Sequence, residues 1–234
     1  MTAEAGQRYF DGAYLAHNPT WHAEHSATKA RWIDDILRRN QIEPNSIAEV
    51  GCGSGEILVE LAERRPGARF TGFEISPDAY AICSAKAREG LEFRLKDLLQ
   101  AEADEFDLLL AIDVFEHVPD YLGFLRALKG KARHTIFHIP LDLSVQALLR
   151  GTSYPILRDH TGHLHYFFKY TALATVRDCG YEVVDWNYTR SSQELPGKSF
   201  RTRLANLPRK LTQLVSEDLS ARLFGGYSLM VLAR

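Results

Sequence analysis

Glu49-Val50-Gly51-Cys52-Gly53-Ser54-Gly55 is the stretch whose reading decides the fold. It closes a short apolar run, Ile47-Ala48-Glu49-Val50, and opens a helical stretch at 56–65 that stops at Pro66-Gly67. An apolar run that halts at glycines and hands over to a helix predicts a strand–turn–helix unit. Glycine lacks a Cβ, so the chain can turn sharply there and bring its backbone close to a ligand. The first N–H groups of the helix then face whatever electronegative group lies at the turn. The G-x-G-x-G spacing alone is also compatible with a plain connection.

Working outward, the same rhythm repeats. Strands are predicted at 69–75, 91–95, 106–112, 135–139, 181–188 and 227–233. Ser76-Pro77 is a helix start, with Ser76 as N-cap, and that helix is predicted to run to Gly90. Further helices are predicted at 21–39, at 120–129 before Gly130, and at 170–179 before Gly180. The run 106–112 is almost continuously apolar, as in a strand buried on both faces. Strands alternating with helices imply an α/β fold, a mostly parallel sheet with helices on both faces. Two stretches break the rhythm, 141–168 and 190–225, the second too long for a plain connection. The second carries an apolar stripe, Phe200, Leu204, Leu207, Leu211 and Leu214, interrupted by Pro208. These two stretches and residues 1–40 are expected to form helical caps around the ligand end of the sheet. The expected organisation is one domain, 1–234, with a core at 45–140 and a last strand at 226–234.

A second feature supports a ligand at the turn. Glu74 ends the next strand, about twenty residues after the glycines, where a carboxylate can accept the hydroxyls of a ribose. A dinucleotide cofactor would use the same pair. However, the spacing is not G-x-G-x-x-G, Tyr166 and Lys169 lack the Tyr-x-x-x-Lys spacing, and no second nucleotide-binding half is visible.

The 234 residues carry a formal net charge of −2, which offers no global attraction to nucleic acid or to an anionic surface. No apolar run approaches the roughly 20 residues of a membrane span. Residues 1–10 lack a signal-peptide core, and Cys52, Cys83 and Cys179 are far apart, which suggests reduced thiols. The expectation is a cytoplasmic protein, monomeric or weakly dimeric, without nucleic-acid partners.

Taken together, these segments resemble the class I S-adenosylmethionine (SAM)-dependent methyltransferases. Residues 49–55 look like their first motif and Phe73-Glu74-Ile75-Ser76 like the acidic strand end. Lys96-Asp97-Leu98 resembles the third motif. Asp113-Val114-Phe115-Glu116-His117-Val118 is most similar to the branch that includes ubiquinone-biosynthesis O-methyltransferases, as are His163-Leu164-His165-Tyr166-Phe167 and Cys179-Gly180-Tyr181. The resemblance covers about residues 45–189 and the final strand. It implies a Rossmann-like, seven-stranded sheet with an antiparallel last strand, and SAM as cofactor. By position, it implies that Glu49, Gly51, Cys52, Gly53 and Gly55 bind the cofactor, with Gly51 and Gly53 near the methionine part. Glu74 and Ile75 would meet the ribose, Asp97 and Leu98 the adenine, and Asp113 the entrance to the acceptor site.

Methyl transfer to a hydroxyl benefits from a base, and histidine suits neutral pH. His117, His163 and His165 are the candidate catalytic residues. His22, His25, His138 and His160 stand in segments that could also reach an acceptor. His160-x-x-His163-x-His165 has no identifiable acidic or cysteine partner, so no metal is expected. Arg201, Arg203, Arg209 and Lys210 could bind a phosphorylated acceptor or lean on a membrane, or form a solvated face. Tyr9, Phe10, Tyr14 and Trp21 could line a pocket. The function expected is methylation of a hydroxyl or amino group on a small, sugar-like or secondary metabolite. The alternatives are a methyltransferase-like module that binds without catalysis and a nucleotide-dependent oxidoreductase.

Overall fold

A computed structural model describes residues 23–100, 106–194 and 207–234. The strands are β1 (Ser46–Val50), β2 (Arg69–Glu74), β3 (Leu91–Leu95), β4 (Phe106–Ile112), β5 (Ala132–Pro140), β6 (Val183–Thr189) and β7 (Ser228–Ala233). They form one sheet in the order β3-β2-β1-β4-β5-β7-β6. Strands β1 to β5 pair in parallel, and β7 lies antiparallel between β5 and β6. The expected Rossmann-like α/β sheet with its antiparallel last strand is therefore present.

Side-chain alternation along the strands splits the core in two. On one face Leu108, Leu110 and Ile112 of β4 join Ile47, Ile136 and Met230 under α1 (Ser26–Arg39) and α2 (Glu56–Arg64). On the other, Leu109 and Ala111 join Ala48, Phe137 and Val231. Three further helices follow in the chain: α3 (Pro77–Ser84), α4 (Tyr121–Leu128) and α5 (Val145–Arg150). Phe115, Leu125 and Leu128 cover the second face from the α4 side, with Ala172 and Val176 beside them. Each fully buried Leu or Phe contributes about 1.5–3 kcal/mol, so the doubly covered β4 anchors the sheet.

The remaining helices are α6 (Ser153–Ile156), which continues into a wide turn at Leu157–Thr161, α7 (Lys169–Asp178), α8 (Ser191–Glu194), α9 (Leu207–Val215) and α10 (Glu217–Phe224). Helix α3 ends at Ser84, well before the expected Gly90. A turn competes there: Arg88 and Leu91 exchange backbone hydrogen bonds of 3.0 and 2.9 Å around Gly90, whose φ is +77°. Among the described residues of 190–225 there are three short helices, α8, α9 and α10; Pro208 sits in the first turn of α9, and the break before α10 falls at Ser216, which caps it. Of the apolar stripe, Leu211 and Leu214 are exposed. Arg209 is buried and donates to the carbonyl of Phe224 at 2.7 Å, so it ties α9 to α10 rather than facing a ligand. Tyr9, Phe10, Tyr14, Trp21, His22, Phe200, Arg201, Arg203 and Leu204 lie outside the described residues. No described helix is long and apolar enough to cross a membrane.

Candidate functional site

From β1 the chain builds outward through β2 and β3 on one side, while β4 and β5 lie on the other. Such a reversal leaves a crevice beyond the carboxyl ends of the strands. A cavity of about 820 Å³ opens there. Glu49, Gly51, Cys52, Gly53, Glu74, Ile75, Asp97, Leu98 and Asp113 all line it, as do His117 and His163. Two expected site residues are not among the lining residues. Gly55, at φ +77°, caps α2, and a Cβ on it would fall 2.5 Å from the Phe93 ring, so it serves packing. His165 packs against Tyr121 at 4.3 Å, and its Nε2 lies 3.0 Å from the Val118 carbonyl oxygen. His160 is exposed on the turn after α6.

Glu74 ties the glycine turn to β2. Its Oε2 accepts the Gly53 N–H at 2.8 Å, and its Oε1 accepts those of Ile75 and Ser76, each at 2.8 Å. A carboxylate has about four acceptor sites, so Oε2 keeps roughly one for a ligand hydroxyl. Burial raises the Glu74 pKa even though the three N–H groups pull the other way. Glu49 is more isolated: it is buried and its Oε2 has no hydrogen-bond partner. Burial pushes its carboxyl well above the usual range, against the attraction of Lys29. An unpaired buried oxygen on a cavity wall suits a cationic ligand group.

Asp113 follows β4 with φ +53°, the left-handed region that asparagine and aspartate tolerate better than most residues. Three contacts hold it. Its N–H donates to the His138 carbonyl at 3.0 Å, its Oδ1 meets His138 Nδ1 at 2.6 Å, and its Oδ2 meets Lys29 Nζ at 2.7 Å. Burial alone would raise its pKa, but the charges of His138 and Lys29 prevail and hold the carboxyl far below the usual range. Sequence reasoning missed Lys29. It projects from α1, and nothing in its local pattern distinguishes it from other solvated helix lysines.

Also lining the cavity, the rings of His117 and His163 lie 4.9 Å apart, edge to face. His163 Nδ1 is 2.6 Å from Asp142 Oδ2. The ring is thereby oriented, with Nε2 left to exchange a proton. Asp142, too, was absent from the expected site. Glu116 is fully buried, and neither carboxylate oxygen has a hydrogen-bond partner. Among the described residues, Glu116, His117 and His163 are the one group whose ligand atoms converge, all within 4.8 Å of one another. The acidic neighbour that the histidine spacing did not reveal is thus Glu116. Two imidazoles and a carboxylate could hold a divalent metal. Burial and repulsion by Asp113, however, push the Glu116 carboxyl well above the usual range, which disfavours its anionic ligand form.

Comparison with known proteins points to methyltransferases. Over 119 residues the chain is 31% identical to trans-aconitate 2-methyltransferase of Streptomyces avermitilis, covering 47% of this chain and 44% of that protein. Over 155 residues it is 27% identical to ubiquinone biosynthesis O-methyltransferase of Xanthomonas campestris, covering 61% and 64%. The chain thus spans less than two thirds of the length of either relative. Magnesium protoporphyrin IX methyltransferase from Synechocystis, solved with bound S-adenosylhomocysteine (SAH), superposes with a TM-score of 0.59 at 18% identity, covering 88% of this chain and 82% of that one. This last likeness is one of fold. A family model described as a methyltransferase domain matches residues 21–185, most of the sheet and its cavity, and the chain belongs to that methyltransferase domain family.

Proposed function

We propose that the chain is a SAM-dependent methyltransferase acting on a hydroxyl or amino group of a small molecule. One observation carries the reading. A single cavity is lined both by the glycine turn, Glu49, Glu74, Asp97 and Asp113 and by an oriented histidine, His163. Gly51 and Gly53 would let the backbone pass close to the methionine part. Glu49 and Asp113 would meet its ammonium group, Glu74 a ribose hydroxyl, and Asp97 and Leu98 the adenine. SAM supplies a methyl group already activated on a sulfonium, so the protein's tasks are alignment and proton removal. His163 serves as base: Nδ1–H is held by Asp142, and Nε2 takes the acceptor's proton. His117 packs against His163 and fixes the ring from the side. Leu157, Thr161 and His163 of the 141–168 stretch all line the cavity. This supports reading that stretch as a cap over the acceptor end.

Calorimetric titration with SAM, SAH and NAD tests the cofactor. Binding of the two sulfur nucleosides and not of NAD is the expected result, and failure of both to bind overturns the proposal. Turnover of neutral hydroxyl and amino acceptors by the native chain then tests catalysis. Binding without turnover across such a panel would favour a module that recognises SAM without using it.

A further inference from the structure

One hydrogen-bonded chain crosses the site, and of its members only Asp113 has a role in the reading above. Thr189 Oγ1 lies 2.8 Å from His138 Nε2, and His138 Nδ1 lies 2.6 Å from Asp113 Oδ1. Asp113 Oδ2 pairs with Lys29 Nζ at 2.7 Å. Four elements contribute one residue each: the end of β6, β5, the residue after β4, and α1. Thr189 and His138 are both buried, and the ring of Trp32 stacks on His138 at 5.7 Å.

We propose that Thr189 and His138 are positioning residues for the amino-acid end of the cofactor, acting through Asp113. The inference rests on the SAM reading of the cavity. The ionised Asp113 requires a donor at His138 Nδ1, and Nε2 is then paired with the Thr189 hydroxyl in either state of the ring: it accepts from the hydroxyl when the imidazole is neutral and donates to Oγ1 when it is charged. Each link thereby sets the next. The hydroxyl and Trp32 fix the ring, the ring and its own carbonyl fix Asp113, and Asp113 divides its two oxygens between His138 and Lys29. Asp113 needs this support because its backbone lies at φ +53°, a conformation that persists where surroundings enforce it. Loss of the Thr189 hydroxyl leaves a buried imidazole nitrogen unpaired and frees the ring to turn. The carboxylate then loses one of its two fixed partners. Neither Thr189 nor His138 needs to touch the adenosine part, so the effect is confined to one end of the ligand.

That confinement supplies the test. The full-length Thr189→Val and Thr189→Ser variants are titrated calorimetrically with SAH and with 5′-methylthioadenosine, which lacks the amino-acid end. The native chain is the reference. In Thr189→Val, SAH affinity is expected to fall about tenfold, the equivalent of one buried hydrogen bond, while methylthioadenosine affinity stays the same. Thr189→Ser, which keeps the hydroxyl, is expected to restore SAH binding. His138→Phe, which keeps a ring under Trp32, should show the same selective loss. Equal weakening of both ligands would mean a general structural role and overturn the proposal, as would unchanged SAH binding in both Thr189→Val and His138→Phe. If the native chain binds neither ligand, it is the SAM reading that fails.

Discussion

Replacing Glu74 with Gln separates the two tasks of this carboxylate. Gln keeps an oxygen for the N–H groups of Ile75 and Ser76, but places an NH₂ where Oε2 now accepts Gly53 N–H at 2.8 Å. Donor then faces donor at the glycine turn. A buried donor left unpaired costs about 1–3 kcal/mol. In a chain of this size each kcal/mol lowers Tm by roughly 2–4 °C, so a fall of about 2–12 °C is expected. The free lone pair of Oε2 disappears as well. A hydrogen bond to a charged group is worth about 1.5–3 kcal/mol, so SAH affinity should drop about 10- to 150-fold. Calorimetric titration with SAH, well below the lowered melting midpoint and with circular dichroism to verify folding, measures both effects. A folded variant whose SAH Kd stays within about threefold of the native value would refute the reasoning and remove Glu74 from the ribose site.

Other consequences can be checked in the same way. His163→Ala should lower kcat about 10²- to 10⁴-fold with SAH binding retained, and Asp142→Asn should lower it less; an unchanged kcat in His163→Ala rules out this base. Gly55→Ala adds a Cβ 2.5 Å from the Phe93 ring at a positive φ, and should cost about 2–5 kcal/mol by urea unfolding; a cost under about 1 kcal/mol would contradict the packing. Burial leaves Glu49 protonated above the ordinary carboxylate range, so a cationic ligand beside it should release a proton. SAM affinity should then rise with pH and its binding enthalpy should depend on the buffer, effects that Glu49→Gln should abolish; a buffer-independent enthalpy in the native chain argues against ligand contact at Glu49. The folded chain also holds the Glu49 proton more tightly than the unfolded chain does. The stability Glu49 contributes is therefore present below about pH 4.5 and declines as pH rises through the folded value. Asp113 acts in the opposite sense, since its stabilisation is complete above the ordinary range and is lost as pH falls through and below it. Urea midpoints from about pH 5 to 8 should therefore fall less in Glu49→Gln than in the native chain, and an equal fall would exclude this linkage.

The strand–helix rhythm was legible because each central strand is an apolar run bounded by glycine, proline or a capping residue. Most of the expected residues that line the cavity were legible for the same reason: they sit at strand ends, and the parallel sheet brings those ends together. Lys29, Asp142 and Thr189 were not: Lys29 and Thr189 meet their partners across elements far apart in the chain, and Asp142 meets His163 only once the 141–168 stretch has folded back on itself. No local pattern distinguishes a helix lysine that reaches Asp113 from one that reaches water. Gly55 and His165 were misplaced for the opposite reason. Their motifs are right, but the side of the backbone each presents depends on Phe93 and Tyr121. The end of α3 was misread because a turn closed by Arg88 and Leu91 outcompetes a few residues of helix.

The place of β7 in the sheet has a consequence for biosynthesis. It follows every other strand in the sequence, yet it fills the slot between β5 and β6, and all six of its residues are buried. While residues 228–233 are still inside the ribosome, β5 has an open edge and β6 has no strand to pair with. At about 5–20 residues per second, the nascent chain carries that unpaired edge for seconds. Thr189 ends β6, so its bond to His138 also awaits the arrival of β7. A ribosome-bound chain stalled before Ser228 would therefore hold the glycine turn and Glu74 in sequence but lack the buttress behind Asp113. The strand that leaves the ribosome after the other six thus acts as a keystone, joining the two parts of the sheet.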